Sequence, residues 1–201
     1  MPRRTISFTT GGFYHIYNRG VNKLPIFLEP RNYPYFLDLM NRYLSRDGAL
    51  IAAYCLMPNH YHLLVRIGSG SLSARMHQLG MAYTNAVNKA YGRVGPLFQG
   101  RFKAVAVEHD AQLLHLSRYI HLNPVAAGLA DEPADWAYSS YANYLGLRND
   151  KRVHPELVLI HFARNRNPDA DEEGAAAAYK QFVEGLDMDS TSLIGHITFD
   201  K

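Results

Sequence analysis

The chain has a single cysteine, few lysines where it is most basic, and no long apolar run. Cys55 is the only cysteine in 201 residues. No intrachain disulfide can form, and no CxxC pair is present to build a structural zinc site. This cysteine usage suits a reducing cytoplasm. The stretch Ile51-Ala52-Ala53-Tyr54-Cys55-Leu56-Met57 is among the longest apolar runs. It falls well short of the roughly 18 residues a bilayer-spanning helix requires, so no membrane partner is expected. Met1-Pro2-Arg3-Arg4-Thr5-Ile6-Ser7 is basic but lacks the apolar centre of a signal peptide. The composition, 47% hydrophobic and 19% charged, fits one globular domain of ordinary size plus a tail.

Acidic residues are scarce in the first two thirds. Residues 1–130 carry 14 Lys/Arg against 5 Asp/Glu, a balance of +9, while residues 131–201 carry 7 against 13, a balance of −6; together they give the net +3. A basic body of this kind points to a polyanionic partner. Its only lysines are Lys23, Lys89 and Lys103, and the arginines that make up the rest suit planar contacts to phosphates.

Hydrophobic periodicity and turn residues predict the order β-α-β-β-α-β-α. Phe13–Arg19 reads as an aromatic-rich strand ended by Gly20. Glu29–Arg46 reads as a helix with an apolar stripe from Phe36 to Leu44, stopped at Asp47-Gly48. Ala49–Leu56 and His60–Ile67 read as strands joined at Met57-Pro58-Asn59, since Pro58 offers no N–H to a central ladder. After the loop Gly68–Ser71, a helix capped by Ser71 or Ser73 runs to about Tyr91. Phe98–Val107 reads as a strand. A helix capped by Asp110 then runs to Asn123, where Pro124 discourages continuation. The order implies an α+β fold of ferredoxin-like split βαβ type, an antiparallel sheet with helices packed on it. Residues 1–148 form the domain and 149–201 an accessory helical tail. Short helices are expected at Ser139–Leu145 and Pro155–Phe162, a polar linker at Asn165–Gly174, a helix at Ala175–Leu186, and loose order from about Asp187.

The chemistry concentrates in two stretches. In Met57-Pro58-Asn59-His60-Tyr61-His62, strand alternation sends His60 and His62 to one face, where they could hold one metal ion. In Ser117-Arg118-Tyr119-Ile120-His121-Leu122-Asn123-Pro124, Tyr119 and Asn123 are four apart and share a helix face. Two imidazoles and one amide oxygen leave coordination positions open for a phosphate oxygen, as a Lewis-acid cation requires. A phenol of ordinary pKa about 10 is mostly protonated at neutral pH and needs a cation or a base to become a nucleophile. His115 and His121 are candidate proton carriers, and both can equally be surface histidines. Phe98-Gln99-Gly100-Arg101-Phe102-Lys103 interleaves basic and aromatic groups. Arg101 and Lys103 suit phosphates, while Phe98 or Phe102 could stack on an unpaired base or face the core. Arg19, Arg66 and Arg118 would extend the basic surface.

Together these motifs resemble the single-tyrosine HUH transposases, and within them the REP-associated tyrosine transposases of bacteria. The resemblance rests on Tyr54–Val65, Gln99–Phe102 and Arg118–Leu129, with Tyr14–Gly20 fitting as well, and it spans about residues 8–148. It implies an HUH endonuclease fold and an enzyme, bacterial and cytoplasmic, that cuts and rejoins single-stranded DNA beside imperfect hairpins with Mg²⁺ or Mn²⁺. It further implies Tyr119 as the nucleophile that becomes linked to a 5′ phosphate, and His60 and His62 as metal ligands. Related insertion-sequence transposases place a glutamine four residues after the tyrosine as third ligand, where this chain has the shorter Asn123. The expected DNA contacts are Arg19, Arg66, Gln99, Arg101, Lys103 and Arg118. Both a monomer and a homodimer are compatible with the sequence. The alternatives are a non-catalytic hairpin-binding regulator on the same fold and a metal-dependent hydrolase that leaves Tyr119 structural.

Overall fold

A computed structural model describes residues 7–166 and 172–185. Four strands, β1 (Phe13–Arg19), β2 (Leu50–Met57), β3 (His60–Arg66) and β4 (Lys103–Val107), form one antiparallel sheet in the order β2-β3-β1-β4. Helices α1 (Asn32–Leu44) and α2 (Leu72–Ala90) follow β1 and β3. Helix α3 (Asp110–Ala126) follows β4, and then come the short α4 (Tyr141–Tyr144), α5 (Glu156–Arg166) and α6 (Glu172–Glu184). This is the split βαβ arrangement expected.

Strand alternation divides the buried residues into two cores. Tyr14, Ile16, Tyr61, Leu63, Val65 and Ala104 point to one face and pack under α1 and α2, through Phe36, Met40, Leu79 and Tyr83 among others. Cys55, Met57, Leu64 and the bulged pair Ala52 and Ala53 pack on the other face with Leu113, Leu116 and Ile120 of α3. The tail joins this second core: Val158 of α5 and Tyr179 and Val183 of α6 are fully buried in it.

Several boundaries differ from the sequence reading. The first helix starts at Asn32 instead of Glu29, because the Asn32 side chain accepts from the backbone N–H groups of Leu28 (2.8 Å) and Glu29 (2.9 Å) and closes a turn there. Ser71 caps α2. The residue capping α3 is His109, whose extended backbone lets Nδ1 accept from Gln112 N–H, while Asp110 sits in the first turn near the positive end of the helix dipole. Helix α3 also continues past Pro124 to Ala126. The missing N–H falls in the last turn, where Ala127 N–H bonds Asn123 O and Leu129 N–H bonds Pro124 O. The fourth strand is shorter than predicted: Phe98 makes only an isolated bridge with Gly20 before β4 begins at Lys103. Of the expected linker, residues 167–171 lie outside the described residues, as does everything from Leu186 onward.

Candidate active site

The turn at Pro58-Asn59 fixes where the first histidine stands. Pro58 O accepts from Ile26 N–H (2.8 Å) and Phe27 N–H (3.0 Å), and Asn59 O accepts from Gly20 N–H (2.8 Å). Gly20 has to be glycine, since a Cβ there would stand 2.0 Å from Leu24 O. The Asn59 amide donates through Nδ2 to Lys23 O (3.0 Å), which turns its Oδ1 toward His60 Nδ1 at 2.6 Å. His60 therefore carries a proton on Nδ1, and Nε2 is the nitrogen presented to the site.

Across the sheet, β1 and β3 set two adjacent rows on the α3-facing side. One row holds Lys103, Tyr17, His62 and Cys55, and the next holds Arg19, His60 and Met57. His62 and His15 are fully buried in the floor, and His15 Nε2 lies 2.9 Å from His62 Nδ1. Burial, and then the neighbouring His15 and His60, hold His62 well below the usual histidine pKa. The ring is thus neutral and able to ligate. Its Nε2 is buried and takes no hydrogen bond in the structure.

Helix α3 brings the other two groups over these rows. The Tyr119 ring stands edge-on to His62 with centroids 5.4 Å apart, and 6.4 Å from His15. One turn on, Asn123 Nδ2 donates to Tyr119 O (3.0 Å), so its Oδ1 is the atom aimed at His60 Nε2, at 3.5 Å. An amide oxygen facing an imidazole lone pair is two acceptors confronting one another. The pair is favourable only with a cation between them, either a proton on His60 or a metal ion. Ligand atoms bound at about 2.1 Å stand about 3.0–3.4 Å from each other in octahedral or tetrahedral sites, close to the spacing seen. Among the described residues no group of three His, Cys, Asp or Glu side chains is arranged to hold a metal. The side chains that would hold a cation here are His60, His62 and Asn123, two imidazole nitrogens and one amide oxygen.

The remaining predicted contacts divide. Lys103 is exposed, with Nζ 5.9 Å from the Tyr17 ring centroid. Arg19, opposite His60, bonds Gln99 through Nε, and Gln99 N–H bonds Arg19 O (2.9 Å). These three rim the site. Arg101 lines a cleft of about 420 Å³ with Phe98, Phe102, Tyr61 and Met81 on the α2-facing side of the sheet. Arg66 shares the face of His60 but sits six residues along β3, about 20 Å away. Arg118 turns from the site altogether. Its Nε donates to Phe182 O (2.9 Å) and Val183 O (3.2 Å), and its Nη2 to Gly185 O (3.0 Å).

His121 is no proton carrier at the site. It is fully buried, engaged at both nitrogens by Tyr179 and Ser140, and lowered to about 3 by burial and then Arg148. His115 packs against Phe182. The residue that sequence reasoning missed is His15. Its signal was the alternation Phe13, His15, Tyr17, Arg19, which acquires meaning only once β1 is paired with β3.

The comparisons with known proteins give the family. Residues 10–123 match the family described as Transposase IS200 like. The chain belongs to that family. A Haemophilus influenzae protein bearing the name REP-associated tyrosine transposase is 26% identical over 152 residues, which cover 67% of this chain and 82% of that one. A solved structure of a REP-associated tyrosine transposase bound to a REP hairpin has the same fold. Its TM-score is 0.61 at 18% identity, covering 77% of this chain and 98% of that one. The family match ends at Asn123, so the IS200-like transposase relationship takes in all four candidate site residues and leaves α5 and α6 outside. Among the described residues no helix is long and apolar enough to cross a membrane.

Proposed function

We propose that this IS200-like transposase cleaves and rejoins single-stranded DNA beside REP-like hairpins, with Tyr119 as nucleophile and a divalent cation, Mg²⁺ or Mn²⁺, as cofactor. The observation that carries the reading is the convergence on one sheet face of His60, His62, Tyr119 and Asn123, with His60 Nε2 and Asn123 Oδ1 3.5 Å apart and the Tyr119 ring 5.4 Å from His62. The hairpin comes from the named relatives, one of which is bound to a REP hairpin. The +9 balance of residues 1–130 and the Arg19–Gln99–Lys103 rim support a nucleic-acid partner.

His60, His62 and Asn123 would hold the cation, whose charge supplies Lewis-acid stabilisation of the phosphate as negative charge develops on it. Tyr119 Oη attacks phosphorus, giving up its proton to water; the bond to the 3′ oxygen breaks, and that oxygen takes a proton from water and leaves as a 3′-OH. The 5′ phosphate stays esterified to Tyr119. Because one phosphoester replaces another, a 3′-OH can reverse the step and rejoin the strand. Arg19 and Lys103 bind and orient the backbone beside the histidines.

The test uses single-stranded oligonucleotides carrying REP-like hairpins, labelled at the 3′ end, with Mn²⁺ and a denaturing gel. The expected result is a labelled band at protein mass with the wild type and none with Tyr119→Phe. Hairpin binding without any adduct would replace this reading with that of a non-catalytic binder.

A further inference from the structure

Helix α6 lies outside the family-matched region, yet it holds the helix that bears Tyr119. Two anchors join them directly, and a third ties α6 to the neighbouring α4. Arg118 donates to the carbonyls of Phe182, Val183 and Gly185, the groups left without partners at the end of α6 and at the negative end of its dipole. Tyr179 of α6, fully buried, bonds Ser117 Oγ (3.0 Å) and His121 Nδ1 (2.7 Å). Glu184 of α6 accepts from Tyr141 Oη (2.8 Å), just after the loop that supplies Ser140 to His121.

The buried part of this link closes as a directed chain. Tyr54 N–H donates to Ser140 Oγ, whose own proton has two acceptors in reach, His121 Nε2 (2.8 Å) and Tyr54 O (3.2 Å). His121 Nδ1–H then donates to Tyr179 Oη, Tyr179 O–H to Ser117 Oγ, and Ser117 O–H to Leu114 O. With a neutral His121 carrying its proton on Nδ1, every group in this chain has a partner. Rotating α3 would strand buried polar groups of this network.

Helical geometry says what this fixes. At about 100° per residue, Ser117, Arg118 and His121 cluster on one side of α3, and Tyr119 and Asn123 lie roughly opposite the middle of that cluster. One side of α3 is gripped by α6 while the opposite side faces His60 and His62. We propose that α6 is the positioning element of the nucleophile, with Arg118 and Tyr179 as positioning residues that set the rotation and axial height of Tyr119. Undocking α6 then withdraws Tyr119 from the histidines without removing any group that touches DNA. The inference rests on the reading of Tyr119 as nucleophile.

The experiment uses the full chain with Tyr179→Phe, which removes only a hydroxyl, Arg118→Met, and Arg118→Lys as the conservative partner. All are assayed well below their melting temperatures. Hydrogen exchange of α3 amides needs no DNA, and Tyr179→Phe and Arg118→Met are expected to speed it about tenfold, with β2 and β3 unchanged. On 3′-labelled REP-like hairpins with Mn²⁺, the same variants form adduct about tenfold more slowly while hairpin Kd stays within about threefold, and Arg118→Lys recovers part of the rate. Unchanged α3 exchange overturns the proposal, and so does an adduct rate that falls only in step with hairpin affinity. If the wild type forms no adduct, the nucleophile reading fails separately, and exchange alone decides whether α6 holds α3.

Discussion

His15 Nε2 stands 2.9 Å from His62 Nδ1, both rings fully buried and nearly parallel, their planes 17° apart. A histidine that ligates through one nitrogen is normally aimed by what the other nitrogen bonds. On the proposed function, the group that aims His62 is a second histidine, delivered by the neighbouring strand. Asn59 performs the same service for His60 through a different backbone segment.

On the proposed mechanism, His15→Ala weakens Mn²⁺ binding by about 10–100-fold, the usual loss when the group behind a ligand is removed. Titration calorimetry of the DNA-free protein measures this directly. Wild-type affinity in the variant would remove His15 from the site.

His60→Ala and His62→Ala each cost more Mn²⁺ affinity than His15→Ala, because they delete a donor instead of its support. Asn123→Ala falls between, since the open coordination positions accept water in place of the amide oxygen. It should lower the adduct rate by about tenfold or more and shift half-saturation to higher Mn²⁺. Adduct formation by Asn123→Ala at the wild-type Mn²⁺ requirement would exclude Asn123 as a ligand.

The rim makes a prediction about salt. Lys103→Ala and Arg19→Ala each reduce the slope of log affinity against log salt by about 0.7–0.9 on hairpin probes, one phosphate contact apiece. Arg66→Ala leaves the slope unchanged, because Arg66 lies at the far end of β3. Fluorescence anisotropy across a salt series reads both, and equal slopes for all three variants would disprove the division.

What could be read in advance was what depends on local period. Alternation placed His60 and His62 on one face, and a spacing of four placed Tyr119 and Asn123 together. The positions of the other residues depended on long-range pairing. His15 meets His62 only through the β1–β3 register. Arg66 has the right face and the wrong distance, because alternation does not report position along a strand. Arg118 is next to Tyr119 in sequence but about 100° away around the helix, which turns it to α6. The tail read as accessory because the family resemblance ends at about residue 148. Its apolar stripe Ala175, Tyr179 and Val183, spaced four apart, marks a buried helix face, but only the tertiary packing shows that this face meets α3.

His121 gives the protein an acid-side weakness. Burial, with Arg148 adding to it, lowers this histidine to about 3 in the native state, while the unfolded chain titrates it near the ordinary 6.5. Above pH 6.5 both states hold it neutral and its network is at full strength. Below 6.5 the unfolded state takes up a proton that the native state refuses, so stability falls as pH drops, and the loss continues until the native pKa is reached. Between pH 7 and pH 5 this one group removes about 2 kcal/mol. Urea unfolding at the two pH values should show wild type losing that much more than His121→Gln, which keeps an amide donor and acceptor in the cavity but has no proton to gain. Equal losses in the two proteins would mean that His121 is charged in the native state, and the directed chain from Tyr54 to Leu114 could not then be drawn as it is.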